Sequence, residues 1–206
     1  MYPGERFNSI SHLAGLFLSV SGVSVLMTLA VLTKDPWKIT SCAIFGAATI
    51  FLYGFSTLYH SIKGRHKGLF QKLDYVAIYL MIAGTYTPFT LVTLRDKMGW
   101  WIFCAVWGLA IFGILQELLR VPTAKRKLSL FLYLLMGWLI AGVAKTLFSL
   151  LSLPAMVLLV MGGALYTGGV LFFINDHRWK HAHGIWHLFV LSGSTLHFFC
   201  VLLYVI

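Results

Sequence analysis

The sequence HAHGIWHLFVLSGSTLHFFCVLLYVI, residues 181–206, decides the fold. It is an apolar run long enough to cross the hydrocarbon core of a membrane as a helix, which takes about 20 residues. His183 and His187 lie near its start, four residues apart, so on a helix they project from the same face and can bind one metal ion. Ionisable side chains are costly inside a membrane, and by default they face the protein interior and have a function. The stretch therefore predicts a membrane-spanning helix that contributes to an internal site.

The rest of the chain has the same character. Of its 206 residues 59% are hydrophobic and only 11% are charged, which excludes an ordinary soluble domain. The pattern predicts an all-α polytopic membrane protein, a single seven-helix domain over residues 1–206 without linkers. The fifth and sixth helices are the hardest to separate. The seven predicted spans are His12–Leu32, Thr40–Ser61, Leu73–Leu94, Gly99–Leu119, Leu130–Ser149, Ala155–Ile174 and Gly184–Ile206.

The distribution of Lys and Arg predicts the orientation of the bundle. With seven spans, 11 basic residues fall on the side that holds the N-terminus and 5 on the other side. Cytoplasmic loops carry the excess of Lys and Arg, so we expect a cytoplasmic N-terminus and an external C-terminus. The net charge of +10 is then explained by loop topology and attraction to anionic lipid headgroups, rather than by nucleic acid. Membrane lipids are the expected partners, and the oligomeric state is left open.

Four helix ends bring polar side chains to one membrane depth on the predicted cytoplasmic side. The second span ends there at His60, the third starts there at Asp74, and the seventh starts there at His183 and His187. The first span also starts there, with Glu5, Asn8 and His12 nearby. Equal depth allows these side chains to meet, although the sequence alone does not make their helices neighbours.

Three imidazoles with an open fourth position are typical of a catalytic zinc site. Asp74 could hold and deprotonate a water molecule as a general base without binding the metal. Ser56 lies one turn before His60, where its hydroxyl could donate to a developing oxyanion. The alternatives are that each histidine is an interhelical hydrogen-bonding residue, or that another divalent ion binds instead of zinc. His197 is expected to be a structural partner rather than a ligand.

Further residues predict which side chains are solvated, where a helix bends and where helices pack closely. His66 and His177 lie in basic loops and are expected to be solvated. Thr87-Pro88 predicts a kink in the third span that opens a cavity. Four glycines of the sixth span are expected to allow close helix packing: Gly162, Gly163, Gly168 and Gly169.

Four motifs together resemble the hemolysin III proteins, the bacterial branch of the progestin and adipoQ receptor (PAQR) family. They are GERFNSISHLAG at 4–15, STLYHS at 56–61, KLDYVAIYLMIAGTYTPF at 72–89 and HAHGIWHLFVLSGSTLHFF at 181–199. The resemblance implies seven helices, a bacterial plasma-membrane location and a zinc site near the cytoplasmic side. It places the zinc ligands on His60, His183 and His187, the water-holding aspartate on Asp74 and the serine on Ser56. The wider superfamily includes alkaline ceramidases, which implies hydrolysis of lipid amides.

Three functions follow from these patterns. The first is a zinc-dependent hydrolase that cleaves an amide or ester bond of a membrane lipid and serves membrane homeostasis. The second is a non-enzymatic sensor or regulator of membrane state in which zinc is structural. The third is the pore-forming hemolysin that the family name suggests, for which the sequence offers no amphipathic pore-forming segment.

Overall fold

The computed structural model describes residues 4–120 and 126–206, and this part of the chain is helical with no strand. Seven helices in it are long and apolar enough to cross a membrane, so the predicted class and number of spans are confirmed. Lys125, counted above among the cytoplasmic charges, lies outside the described residues. The spans are Arg6–Leu32, Pro36–Ser61, Lys67–Thr93, Gly99–Leu119, Lys127–Leu150, Leu153–Ile174 and Ala182–Tyr204.

Several helices begin earlier than predicted because hydropathy marks the apolar core of a span and not its polar first turns. The first helix begins at Arg6 rather than His12, and the third begins at Lys67 rather than Leu73. The second begins at Pro36, where the Asp35 side chain accepts a hydrogen bond from Trp37 N at 2.8 Å and caps the helix. These extra turns bring polar residues such as Asn8 into regular helical positions at the membrane boundary.

The fifth span is not a continuous α-helix, which the sequence analysis did not predict. Its α-helical parts, Lys127–Trp138 and Ala144–Leu150, are joined by a 3₁₀ segment, Leu139–Val143. Tyr86 of the third span satisfies the irregular backbone: its hydroxyl donates to Met136 O at 2.7 Å and accepts from Ile140 N at 2.8 Å. A side chain from a neighbouring helix thus replaces hydrogen bonds that the 3₁₀ turn leaves unmade.

The third span changes from α-helical to π-helical geometry near its end. After Pro88 it continues as a π-helical turn, Phe89–Thr93, instead of breaking. The Thr87 hydroxyl donates to Ala83 O at 2.9 Å, and the Thr90 hydroxyl donates to Tyr86 O at 3.0 Å. Local backbone adjustment and hydroxyl groups therefore accommodate the proline within the helix.

Successive helices pack against one another from the first to the fourth, and the first also packs on the seventh. The fifth packs on the third and fourth, and the sixth packs almost entirely on the seventh. The fifth and sixth make few mutual contacts, and a cavity of about 400 Å³ lies beside them. Its wall includes Trp138, Phe148 and Val160, whose side chains are more than half exposed, so the cavity opens toward the lipid-facing surface between these two helices.

The glycine prediction is correct for part of the set. A methyl group on Gly162 would lie 2.3 Å from the His197 ring, and one on Gly169 would lie 2.8 Å from Phe189. Gly168 leaves room for an ordinary contact with Phe189. Gly163 was wrongly expected in close packing: it has open space around it and lines the cavity.

Candidate metal site

The structure brings His60, His183 and His187 together at one end of the bundle. One ring nitrogen from each lies within 4.8 Å of those of the other two. The ring centroid of His60 lies 5.0 Å from that of His183 and 5.0 Å from that of His187. The centroids of His183 and His187 are 4.7 Å apart. The second helix contributes the first ring from its last turn, and the seventh contributes the other two from adjacent turns of one face. His187 is fully buried and His60 is 2% exposed.

Each of these rings has one nitrogen in contact with an acceptor group. His60 Nδ1 lies 2.6 Å from Glu5 Oε2, and His183 Nδ1 lies 3.5 Å from Asp176 Oδ2. His187 Nδ1 lies 3.1 Å from Asn8 O and 3.2 Å from the Ser11 hydroxyl. A carbonyl oxygen only accepts, so Nδ1 of His187 carries the proton and its Nε2 holds a lone pair.

The carboxylates of Glu5 and Asp176 favour the same tautomer in His60 and His183, with the proton on Nδ1. Burial raises the pKa of Glu5, but hydrogen bonds from Asn8 and His60, together with the nearby charges of His60 and Lys67, leave the pKa below its ordinary value. The contact with His183 likewise lowers the pKa of Asp176. Both groups are therefore ionised acceptors at neutral pH, which favours a proton on Nδ1 of each histidine they contact.

The Nε2 atoms of all three histidines are buried and have no hydrogen-bond partner among the described residues. Buried nitrogens are normally paired, since an unpaired one costs free energy. Three such atoms, each with its Nδ1 held by another group, form the donor set that a divalent metal ion takes, with the outer contacts that orient metal-binding imidazoles. The residues present therefore fit a divalent metal ion such as zinc.

Asp74 and Ser56 lie beside this group, on the side of the apolar cavity. Asp74, at 6% exposure, lines the cavity and interacts electrostatically with His183. The Ser56 hydroxyl is buried next to Asp74 and makes no hydrogen bond of normal geometry within the described residues. Asp74 thus borders the space that a ligand could occupy, with the Ser56 hydroxyl next to it.

His12 joins the cluster as a fourth imidazole. Its ring stacks on that of His187 with centroids 3.6 Å apart and planes 13° apart, and both of its nitrogens are buried without a partner. The sequence placed His12, Glu5 and Asn8 at the right depth and assigned them no role. Asp176 was missed, because an acidic residue in a loop gives no signal that it contacts a histidine.

The remaining histidines lie elsewhere. His66 and His177 are exposed, as predicted. His197 Nε2 donates to Leu159 O at 3.0 Å across the contact between the sixth and seventh helices, which agrees with the structural role expected for it.

These features define a polytopic membrane protein of seven helices with a buried three-histidine group at one end of the bundle. Residues 2–198 match the family model described as haemolysin-III related, and the chain belongs to this family. It is 42% identical to Hemolysin-3 of Bacillus cereus over 203 residues, covering 98% of this chain and 92% of that protein. It is also 42% identical to a Hemolysin-3 homolog of Bacillus subtilis over 206 residues, covering 97% and 93%.

A more distant relative comes from animals. The human monocyte to macrophage differentiation factor is 30% identical over 195 residues, covering 90% of this chain and 79% of that protein. The resemblance drawn from the four motifs, to hemolysin III proteins with PAQR relatives, is therefore confirmed. The bacterial relatives also agree with the predicted multi-pass location in a bacterial plasma membrane.

Proposed function

We propose that this protein binds a zinc ion through His60, His183 and His187 and hydrolyses an amide or ester bond of a membrane lipid. The observation that carries the proposal is the set of three buried Nε2 atoms without partners, each on a ring whose Nδ1 contacts another group. Three ligands leave a coordination position open, as catalytic zinc sites do.

The roles of the other residues follow from their chemistry. A zinc ion, when bound, activates water and polarises a carbonyl group at neutral pH. Asp74 holds the attacking water through a carboxylate oxygen, takes its proton as general base and passes that proton to the leaving amine or alkoxide as the C–N or C–O bond breaks. The Ser56 hydroxyl donates a hydrogen bond to the oxygen of the substrate carbonyl as negative charge develops there. Glu5, Asp176 and the Asn8 carbonyl orient the three imidazoles.

The cavity supports a lipid as the substrate. Its wall is mostly apolar, with Leu52, Ile78 and Met81 in its deeper part, and Asp74 is one of its few charged groups. The opening between the fifth and sixth helices lets an acyl chain enter from the bilayer without crossing water. A scissile bond at the head of that chain would then lie beside Asp74. Cleavage of such a bond changes membrane composition, which is the basis for a role in membrane homeostasis.

The test uses purified protein in lipid nanodiscs with N-acyl and O-acyl lipids as substrates. We expect turnover that a chelator abolishes and zinc restores, and that His187→Ala removes together with bound zinc. Asp74→Asn should abolish turnover while zinc content, measured by elemental analysis, stays at the wild-type level. Absence of turnover with zinc-loaded protein, or turnover that survives His187→Ala, would rule out the hydrolase.

A structural zinc in a non-enzymatic sensor is the second candidate. The second and seventh helices make few contacts with each other, and an ion bound by His60 and His187 would connect them. Under this proposal the chelator lowers the thermal unfolding temperature, and Asp74→Asn leaves the cellular phenotype intact. The Asp74→Asn variant therefore separates the two candidates, because only a hydrolase needs the carboxylate.

A further inference from the structure

We propose that His12 binds the polar head of the lipid, accepting or donating a hydrogen bond at the junction of the three-histidine group and the cavity. This inference rests on the proposed lipid-binding function and names the residue that sets its preference for lipid chemistry. His12 belongs to the first helix, close to Asn8 and Ser11, which contact His187. It was not among the residues that the sequence motifs place in the site.

The stacking geometry argues against His12 as a fourth metal ligand. An imidazole binds a metal through a lone pair that lies in the plane of its ring. The rings of His12 and His187 are nearly parallel, with centroids 3.6 Å apart. A metal ion held by the lone pair of His187 would therefore not lie where the lone pair of His12 points. His12 would border the proposed metal site without supplying a ligand.

The two nitrogens of His12 are free for another partner. The residue is only 2% exposed, and neither nitrogen has a hydrogen-bond partner in the part of the chain that the structure describes. The ring is held firmly, with His187 against one face and Tyr53 edge-on to it at 5.1 Å. A phenylalanine would satisfy the same packing without unpaired polar atoms, so packing alone does not explain a histidine here.

The cavity supplies the place for that partner. His12 lines it together with Asp74, whereas most of its other lining side chains are apolar. Both residues also adjoin the three-histidine group, His12 by stacking on His187 and Asp74 by its electrostatic interaction with His183. A lipid that turns its polar head toward this group would offer His12 the hydrogen-bond partner that the described residues do not supply.

The chemistry of a neutral imidazole predicts which lipids bind best. It has one N–H donor and one lone pair that point in different directions, so a lipid head meets one of the two, and only a group that can both accept and donate pairs with either. A lipid amide has a carbonyl and an N–H, an ester has only acceptors, and an alkane has neither. His12 therefore favours amides over esters of the same chain length, and esters over alkanes.

Competition binding tests this preference. Zinc-loaded protein carrying Asp74→Asn, which prevents consumption of the ligand, is titrated in nanodiscs with a fluorescent acyl probe. The competitors are a fatty amide, the ester and the alkane of equal chain length. We expect the amide to bind on the order of 10-fold more tightly than the ester, the difference made by one hydrogen bond. His12→Phe should remove this difference and leave alkane binding and zinc content unchanged.

Two further variants keep the test decisive. His12→Asn restores a donor and an acceptor and should recover part of the amide preference. Tyr53→Phe removes a hydroxyl that donates to Ser194 at 2.8 Å and keeps the ring beside His12, so it should retain the full preference. An amide preference that persists in His12→Phe overturns the inference. Equal weakening of all three competitors, or loss of zinc, also overturns it and makes His12 a support for His187.

The outcomes also separate this inference from the hydrolase. If the protein with Asp74 intact shows no turnover while the amide preference depends on His12, the hydrolase fails and the binding role of His12 stands. If turnover is chelator-sensitive but His12→Phe keeps the amide preference, the hydrolase stands and this inference fails.

Discussion

At the scale of single residues, the contacts of the three Nδ1 atoms are as informative as the histidines themselves. The Glu5 carboxylate contacts His60, the Asn8 carbonyl contacts His187, and Asp176 contacts His183. These three groups come from the start of the first helix and from the loop before the seventh. Because each contacts the Nδ1 atom of a ring, we expect the metal affinity of the proposed site to depend on parts of the chain that contain no ligand.

We therefore predict that Glu5→Gln lowers zinc affinity by about 10- to 100-fold, as loss of such partners does elsewhere. Asp176→Asn should have a smaller effect, because its oxygen lies 3.5 Å from His183 Nδ1 whereas that of Glu5 lies 2.6 Å from His60 Nδ1. The measurement is competition with a chromophoric chelator. Asp96→Asn removes an exposed carboxylate on a different loop and is the control. Equal affinities for all three variants would contradict the prediction.

Which residues of the site could be predicted from the sequence depended on the kind of pattern that marks them. The spacing of His183 and His187 on one helix was visible directly, and His60 and Asp74 followed from counting membrane crossings. Their meeting point was not visible, because the lateral arrangement of helices depends on packing that periodicity does not record. Asp176 lies in a loop that reads as an ordinary solvated turn, and only the fold places it beside His183.

At the scale of helices, the contact between the sixth and seventh spans depends on small residues. Gly162 allows the His197 ring to approach its backbone, and His197 then donates to Leu159 O at 3.0 Å. Gly162→Ala would force that ring away and leave the buried Nε2–H of His197 without its acceptor. We expect a loss of about 1–3 kcal/mol in unfolding free energy, the cost of an unsatisfied buried group.

Gly163→Ala is the matched control for this substitution. It is the next residue on the same helix, and a methyl group there meets open space. Alanine is the better helix former by about 1 kcal/mol, so this variant should unfold at an equal or higher temperature. Thermal unfolding in detergent, followed by circular dichroism, compares the two. If both variants behave alike, close packing at position 162 is not what holds the two helices together.

A second prediction at this scale concerns the irregular fifth helix. Tyr86→Phe removes the hydroxyl that donates to Met136 O and accepts from Ile140 N, leaving the 3₁₀ turn unsatisfied. The expected cost is about 1–3 kcal/mol, measured by chemical unfolding in mixed micelles. Tyr204→Phe, at the exposed end of the seventh helix, should change stability little. No difference between the two variants would mean that the 3₁₀ segment finds other partners.

The fifth helix also shows that hydropathy predicts the extent of a span but not an interruption of its helical geometry. Its apolar run gave the correct span, but Leu139–Val143 carries no proline and no charge that would mark a 3₁₀ segment. The interruption depends on Tyr86, which is more than 50 residues away in sequence. A kink was expected at Thr87-Pro88, and the irregular backbone that the structure has directly after it is a π-helical turn.

At the scale of the whole molecule, the lining of the cavity argues against the pore-forming activity that the family name suggests. Ion conduction requires a continuous lining of polar groups or water, and this cavity is lined mainly by apolar side chains. We therefore predict no single-channel currents when the purified protein is reconstituted in defined planar bilayers. A pore-forming peptide recorded in the same bilayers shows that openings are detectable. Reproducible openings that scale with the amount of protein would contradict this prediction.

The orientation of the bundle decides which side of the membrane the three histidines serve. The excess of Lys and Arg on the N-terminal side, 11 against 5, predicts that the loop holding His66 is cytoplasmic and the loop holding Lys97 is external. In a variant without native cysteines, a membrane-impermeant thiol reagent added to intact cells should label Lys97→Cys but not His66→Cys. Labelling of His66→Cys after cell lysis is the control for accessibility. The reverse pattern would invert the bundle and place the proposed zinc site at the outer leaflet, so the lipids it meets would differ.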